Sequence, residues 1–267
     1  SAINDACVRM VSCSPELRQE SLVSGTFTGY GVGGHSGVNQ RGEDFGSMNL
    51  DNLSCGTGAT PYHDGVDVGG LYTASPKSPM PNIEENEHDM PILYLYKREE
   101  QDYCGPGEYR SGIALTYAVK LHKTDHVDTL VSGTGVAVPI QRGMAGYPGG
   151  PLVHRVVRDS EVHERLDRGV VPQDLSEIGE VTPMPAQISY DQYPSDVMLY
   201  GMGSSSGYGD PIKRDPERVA SDVNKGLVSE ESAAEFYGVV FESTGDGFVV
   251  DREATESRRE AIRKERL

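Results

Sequence analysis

The stretch that decides the fold is 201–240, which reads GMGSSSGYGDPIKRDPERVASDVNKGLVSEESAAEFYGVV. It opens with a Gly/Ser loop at 201–209 and continues with two sets of helix start and stop signals. Each start is a residue whose side-chain oxygen can cap free backbone N–H groups, and each stop is a glycine, which tolerates a left-handed conformation. The starts are Asp215, followed by Pro216, and Ser229; the stops are Gly226 and Gly238. This order predicts a tight loop followed by two short helices.

Outward from this stretch, the preceding part of the chain has the patterns of strands. Residues 113–122 alternate between large apolar and small or polar side chains, which is the period of a strand. Residues 91–96 are almost continuously apolar, as in a strand covered on both faces. Residues 25–70 are rich in glycine and predict short strands and tight loops. A final helix over 251–267 has a thin apolar stripe, so we expect it to be largely exposed.

These patterns together predict the α+β fold class, with a β-rich body, Gly-rich loops and a C-terminal helical segment. The β-rich part is expected to span 1–200. The Gly-rich loop and the C-terminal helices then occupy 201–267 of the same unit. The 32 glycines and 16 prolines support this view, because they favour many turns over long helices.

The charge of the chain excludes several classes of partner. The 267 residues carry a formal net charge of −17, which repels phosphate backbones and anionic lipids, so we expect neither nucleic acid nor a membrane as partner. No apolar stretch approaches the ~20 residues of a membrane span, and the N-terminus lacks the blocks of a secretion signal. The four cysteines form no CxxC pair and predict reduced thiols, and the expected location is therefore cytoplasmic.

The Gly/Ser loop is the first candidate site. A phosphate-binding loop of the Walker type ends in Gly-Lys-Ser/Thr, whereas this loop ends in Gly-Asp-Pro, and an aspartate repels phosphate. We therefore interpret it as a close crossing of backbones, which glycine permits, or as a loop that contacts substrate or another subunit. The residues assigned to that contact are Gly203, Ser204, Ser205, Ser206, Gly207 and Asp210.

The second candidate site is the segment HDGVD at 63–67. A histidine beside carboxylates can act as a general base, so His63, Asp64 and Asp67 are the predicted catalytic residues. The alternative is an ordinary Asp-Gly turn with a capping aspartate. No second histidine lies nearby, and we assign no metal ligand to this chain.

Several motifs in a fixed order resemble one family. They are GATP at 58–61 with HDGVD at 63–67, GPGEYRSG at 105–112, GYGDP at 207–211, RDPE at 214–217 and YGVV at 237–240. The series resembles the C-terminal half of the hydantoinase B family, which includes the B part of 5-oxoprolinases and the large subunits of ketone carboxylases. Each motif is weak alone, but their order and spacing are specific.

The resemblance implies a multi-chain enzyme. In that family, ATP activates a carbonyl or carboxylate group by phosphorylation, and the activated group is then hydrolysed or carboxylated with bicarbonate. The expected partners are an ATP-binding subunit like hydantoinase A and a chain that carries the N-terminal half of the B component. ATP and Mg are expected on a partner chain, as is any divalent metal, and bicarbonate is the expected co-substrate.

Departures from the family pattern favour one branch. Hydantoinases have a His-rich stretch after Asp-Gly-x-Asp, where this chain has VGGLYTAS at 68–75. We therefore expect a subunit of an ATP-dependent carboxylase that acts on a ketone of the acetone or acetophenone type. Two alternatives stay open: a subunit of an ATP-dependent cyclic amidase of the hydantoinase or 5-oxoprolinase type, and a non-catalytic half that completes the fold of its partner.

Overall fold

The computed structural model describes residues 2–17, 31–49, 51, 54–70, 82–136, 138, 144, 146–245 and 247–266. Within these ranges the chain has the α+β fold predicted from its sequence, with two main antiparallel sheets and helices concentrated at the C-terminal end. The segment at 71–75, part of the departure from the hydantoinase pattern, lies outside the described residues. The division of the unit at residue 200 stays a prediction.

The larger sheet consists of β3 (Ile92–Glu99), β4 (Leu115–Leu121), β6 (Val153–Val157), β7 (Val181–Pro183) and β9 (Val197–Gly201). The strands lie in the order β3-β4-β9-β6-β7, and every pairing between them is antiparallel. The alternating pattern at 113–122 forms β4, the second strand of the sheet. Every residue of β4 is buried, because one of its faces packs against the smaller sheet and the other against a short helix and a 3-10 turn.

The smaller sheet consists of β1 (Gly31–Val38), β2 (Asp44–Met48), β5 (Val127–Gly133) and β8 (Gln187–Gln192). These strands lie in the order β2-β1-β5-β8. Its inner face carries Val127 and Val131, which join the same apolar core as Tyr117 and Tyr200 of the larger sheet. Alternate residues such as Asp128 and Leu130 of β5 are exposed, so the outer face of this sheet is open. The main core therefore lies between the two sheets.

Three of the six described helices lie after residue 215, and the others are spread over the rest of the chain. The six are α1 (Ala2–Ser12), α2 (Ile83–Asp89), α3 (Val162–Asp167), α4 (Pro216–Asn224), α5 (Glu230–Phe236) and α6 (Arg252–Glu265), with 3-10 turns at Leu175–Glu177 and Pro211–Lys213 and a hairpin of β10 (Phe241–Thr244) and β11 (Gly247–Val250). The start signals act as predicted, because the side chains of Asp215, Ser229 and Asp251 each accept a backbone N–H of the following helix. None of the described helices is long and apolar enough to cross a membrane.

The terminal helix α6 is largely exposed, as expected, and the side chains that it does bury are Thr255, Arg259 and Ile262. The Arg259 guanidinium donates to the carbonyl oxygens of Tyr237 (3.0 Å) and Arg214 (2.7 Å). The apolar pattern of the helix does not indicate this buried position, because arginine is charged. The helix is thereby attached to the segment that follows the Gly/Ser loop.

Candidate functional site

Four loop segments meet beside the larger sheet, and we call this region the glycine crossing. It consists of 54–70, 103–114, 146–150 and 201–210. A β-carbon placed on Gly56 would overlap the carbonyl of Gly112, and one on Gly112 would overlap the carbonyl of Val66. One on Gly105 would lie 2.6 Å from the backbone nitrogen of Gly207. The close approach that the sequence predicted for this loop is therefore present, and backbones pack directly on backbones.

The Gly/Ser loop uses most of its backbone N–H groups in hydrogen bonds to neighbouring segments. Residues whose amide N–H groups donate to backbone carbonyls of other segments are Met202, Ser204, Ser205, Gly207, Tyr208 and Gly209. A phosphate site at such a loop needs these N–H groups free to point at the ligand. The Gly/Ser loop therefore does not fit the phosphates of ATP.

Most residues predicted to contact substrate or a subunit through this loop are covered in the described structure. Gly203, Ser204, Ser205, Ser206 and Gly207 are all buried. Asp210 is half-buried instead, where it accepts the N–H of Ile212 and forms an ion pair with Arg266 at 2.9 Å. The contact role of the loop stays a prediction.

Asp64 and Asp67 lie at the edge of the crossing, where arginines surround them. Asp64 accepts two hydrogen bonds from Arg214 (2.7 and 2.8 Å) and one from Arg218 (2.7 Å), and it also accepts the backbone N–H of Arg110. Asp67 accepts two bonds from the Arg110 guanidinium (2.7 and 3.2 Å) and the backbone N–H of Ile113. Both carboxylates therefore act as anchors in the fold.

Asp222 of α4 completes this group, which we call the Asp/Arg cluster: Asp64, Asp67, Arg110, Arg214, Arg218 and Asp222. Asp222 accepts bonds from Arg110 (3.2 Å) and Arg214 (2.8 Å). The Arg214 side chain is only 1% exposed, so its charge needs these partners. Burial raises the pKa of Asp64. The hydrogen bonds and charge of Arg214, together with the charges of Arg218 and Arg110, lower it by more, so the net pKa is below its ordinary value.

Two of these arginines lie in the family motifs, but no role was predicted for them from the sequence. Arg110 and Arg214 stand inside the motifs GPGEYRSG and RDPE, and arginine is the cation that most often forms buried ion pairs. The aspartate partner of Arg214 could not be identified from the sequence, because Asp64 and Arg214 are 150 residues apart in the chain.

His63 differs from its two neighbours in the motif, because its side chain is exposed. Its Nδ1 lies 2.8 Å from the backbone oxygen of Asp64. A carbonyl oxygen only accepts hydrogen bonds, so Nδ1 carries the proton in this contact, and the lone pair of the neutral ring lies on Nε2. Tyr62 packs edge-on against the ring, with centroids 5.1 Å apart. The imidazole is thus oriented with a basic nitrogen available.

The described residues bring no three His, Cys, Asp or Glu side chains together in an arrangement that could hold a metal ion. Among the three predicted catalytic residues, the motif brings His63, Asp64 and Asp67 into one loop. Within the described residues, His63 is the one of these three that makes no ion pair.

A family model described as hydantoinase B/oxoprolinase matches residues 3–211. The chain belongs to this family. The family resemblance stated on the sequence motifs is thereby confirmed.

Individual known proteins match over most of the chain. The acetone carboxylase alpha subunit of Xanthobacter autotrophicus is 29% identical over 250 residues, which are 86% of this chain and 32% of that subunit. The caprolactamase subunit beta of Pseudomonas jessenii is 28% identical over 245 residues, which are 89% of this chain and 38% of that subunit. The chain therefore spans about a third of the length of these relatives.

The same similarity appears in three dimensions. The nucleotide-free structure of acetone carboxylase, an enzyme of ATP-dependent acetone carboxylation, superposes with a TM-score of 0.80 and 26% identity. The superposition covers 91% of this chain and 34% of the other.

Proposed function

We propose that this hydantoinase B chain is part of a multi-chain, ATP-dependent carboxylase that adds bicarbonate-derived carboxylate to a ketone. The observation that carries the proposal is the superposition on acetone carboxylase, with a TM-score of 0.80 over 91% of the chain. The match covers 34% of that chain. We propose an ATP-binding subunit like hydantoinase A and a chain with the N-terminal half of the B component.

The residue that we propose for the chemistry is His63. Carboxylation of a ketone requires loss of a proton from the carbon next to the carbonyl group. His63 has its Nδ1 proton engaged by the Asp64 carbonyl, which leaves Nε2 to accept that proton as a general base. Asp64 and Asp67 act as positioning residues, because their carboxylates hold the loop on Arg110 and Arg214. ATP, Mg and any divalent metal are proposed to lie on a partner chain.

The test is to purify the chain with its partner chains and measure ATP-dependent fixation of labelled bicarbonate on acetone and acetophenone. We expect fixation with both ATP and ketone present and none when either is omitted. The variant His63→Gln should assemble normally and lose at least tenfold in kcat, whereas His88→Gln, an exposed histidine of α2, should be unaffected. Full activity of His63→Gln would contradict the role of His63.

A second candidate is an ATP-dependent cyclic amidase. The similarity to the caprolactamase subunit favours it, because 28% identity over 245 residues nearly equals that to the acetone carboxylase subunit. The same preparation distinguishes the two: ATP-dependent hydrolysis of caprolactam or a hydantoin, without fixation of bicarbonate, would select the amidase.

A third candidate is a non-catalytic half that completes the partner's fold. The arginine contacts of Asp64 and Asp67 favour it, because they give both carboxylates a structural task. Replacement of His63 and Asp67 by Ala tests it: survival of both assembly and turnover would select this candidate over the other two.

A further inference from the structure

The outer face of the smaller sheet is exposed, and no contact described above uses it. Met48 of β2 and Leu130 of β5 are 58% and 42% exposed on this face. A shallow concavity of about 570 Å³ lies across it. The outward-facing residues that line this concavity are Gly34, Ser36, Asp128, Leu130, Ser189 and Asp191. The face therefore offers both room and apolar surface to another molecule.

Two glycines on this face are not required by the packing of the described residues. Gly34 and Gly46 lie in the middle of β1 and β2, and neither has a positive φ. Among the described residues, a β-carbon on Gly34 would meet only Leu130, at an ordinary 3.8 Å, and one on Gly46 would meet nothing within 4 Å. Glycine inside a strand weakens the sheet and often marks a close approach by another backbone or a ligand. An approach at these two positions has to come from outside the described residues.

The same face carries negative charge that no cation on it balances. Asp128 and Asp191 are cross-strand neighbours in the register of β5 and β8, and like charges directly opposite each other destabilise a sheet. The outward positions of the four described strands also include Asp44, but no Lys or Arg. Arg158 donates to the backbone carbonyl of Asp191, but its ion pair is with Asp196. A cation that another molecule places between Asp128 and Asp191 would remove their repulsion.

This charge limits what the face can bind. A second copy of this chain would bring aspartates against aspartates, and the chain already carries a net charge of −17. Nucleic acid and anionic lipid are negative as well. The relatives indicate a different occupant, because the match covers only 32% of the acetone carboxylase alpha subunit and 38% of the caprolactamase subunit beta. The counterpart of the unmatched part is the companion most closely tied to this chain.

We propose that the outer face of the smaller sheet docks the companion chain that carries the N-terminal half of the B component. The docking segment brings an Arg or Lys side chain between Asp128 and Asp191. An apolar side chain next to that cation packs on Leu130, and the backbone of the segment lies over Gly34 and Gly46. The inference rests on the proposed multi-chain assembly, but it is independent of which reaction the assembly catalyses.

The test measures the dissociation constant between this chain and that companion by isothermal titration calorimetry, without ATP or ketone. Asp128→Lys should weaken binding at least about tenfold, because it puts a positive charge where the companion brings one. Asp167→Lys makes the same change of charge at an exposed position of α3 and should bind within about twofold of the wild type. Equal affinities of Asp128→Lys and the wild type would overturn the proposal.

A second variant tests the glycines separately from the charge. Gly34→Val places a β-branched side chain, which strands favour, in the concavity, so the chain's own free energy of unfolding in urea should not fall. Its affinity for the companion should nevertheless fall at least about tenfold, because the close approach is blocked. Unchanged affinity would refute that approach.

Sedimentation of the chain alone tests the other occupant. We expect a monomer, and a dimer that Gly34→Val weakens would assign the face to a second copy and overturn the proposal. None of these measurements involves bicarbonate or ATP, so their failure is distinct from a failure of the proposed carboxylation.

Discussion

The core between the two sheets and the glycine crossing are both buried, but they are built in opposite ways. Between the sheets, large side chains fill the space, as in the stacked rings of Tyr117 and Tyr200, whose centroids are 5.1 Å apart. In the crossing, side chains are absent where the segments touch, and the carbonyl of Gly112 packs directly on Gly56. The core is stabilised by apolar area removed from water, and the crossing by backbone hydrogen bonds and by the Asp/Arg cluster at its edge.

This difference predicts different weak points. A sheet core loses stability when side chains become smaller, because a cavity remains. The crossing loses stability when a side chain becomes larger by one methyl group or when a buried charge loses its partner. Each of the following changes tests one side of that contrast.

The largest effect is expected from Gly112→Ala. Its new β-carbon would overlap the Val66 carbonyl, which is backbone and cannot rotate away, so two segments of the crossing must separate. We expect more than about 4 kcal/mol of lost stability, measured by urea unfolding, or no folded protein. Gly46→Ala in β2 is the matched control: a β-carbon there meets nothing within 4 Å, and the stability should change by less than about 1 kcal/mol. Similar losses in both variants would refute direct backbone packing.

The two regions also differ in how far the sequence predicts them. The strand β4 and the caps Asp215 and Ser229 are local features, since the alternation or the cap residue lies within the element that it forms. For the crossing, the glycines of the loop predicted that backbones approach closely. They did not predict which segments meet, because those segments are far apart in the chain. The ion pairs of Asp64 could not be predicted at all, since Arg214 and Arg218 are 150 and 154 residues away in the chain.

The next largest effect is expected from Asp64→Asn. The change leaves the buried Arg214 guanidinium with fewer charged partners and removes the ion pair to Arg218. We expect a loss of about 3 kcal/mol in the free energy of unfolding, the lower end of the cost of a broken buried pair, since Asp222 still neutralises Arg214. Asp128→Asn, on the exposed face of β5, should cost less than about 0.5 kcal/mol. Equal stabilities of the two variants would show that the cluster contributes little.

A smaller loss is expected from Arg259→Ala in α6. It removes the donors to the carbonyl oxygens of Tyr237 and Arg214 and so frees the terminal helix from the segment after the crossing. We expect about 1.5–3 kcal/mol, the usual range for hydrogen bonds made by a charged group. Arg258→Ala, its exposed neighbour, should leave the thermal midpoint unchanged. If both variants melt alike, α6 is not fastened through Arg259.

The final prediction separates the two regions by pH. Burial lowers the pKa of His35 and of His154 to about 4, so both are neutral in the folded protein while the unfolded chain binds protons near pH 6.5. Stability rises with pH wherever the unfolded state binds more protons, so the sheet core loses stability as the pH falls from about 6.5 to about 4. The loss should reach about 2 kcal/mol per histidine at pH 5.

Asp64 affects the stability at a lower pH than the two histidines do. Its pKa is lowered in the fold, so its contribution is complete above its ordinary pKa and disappears only as the pH falls below about 4. Hydrogen exchange at pH 5 and pH 7 measures the difference: amides of β5 and β6 should lose protection at pH 5, while those of the crossing lose it only through global unfolding. His154→Phe should flatten the pH dependence of global stability by one histidine's share. An unchanged slope in that variant would mean that His154 binds its proton in the folded state, contrary to a core built from uncharged side chains.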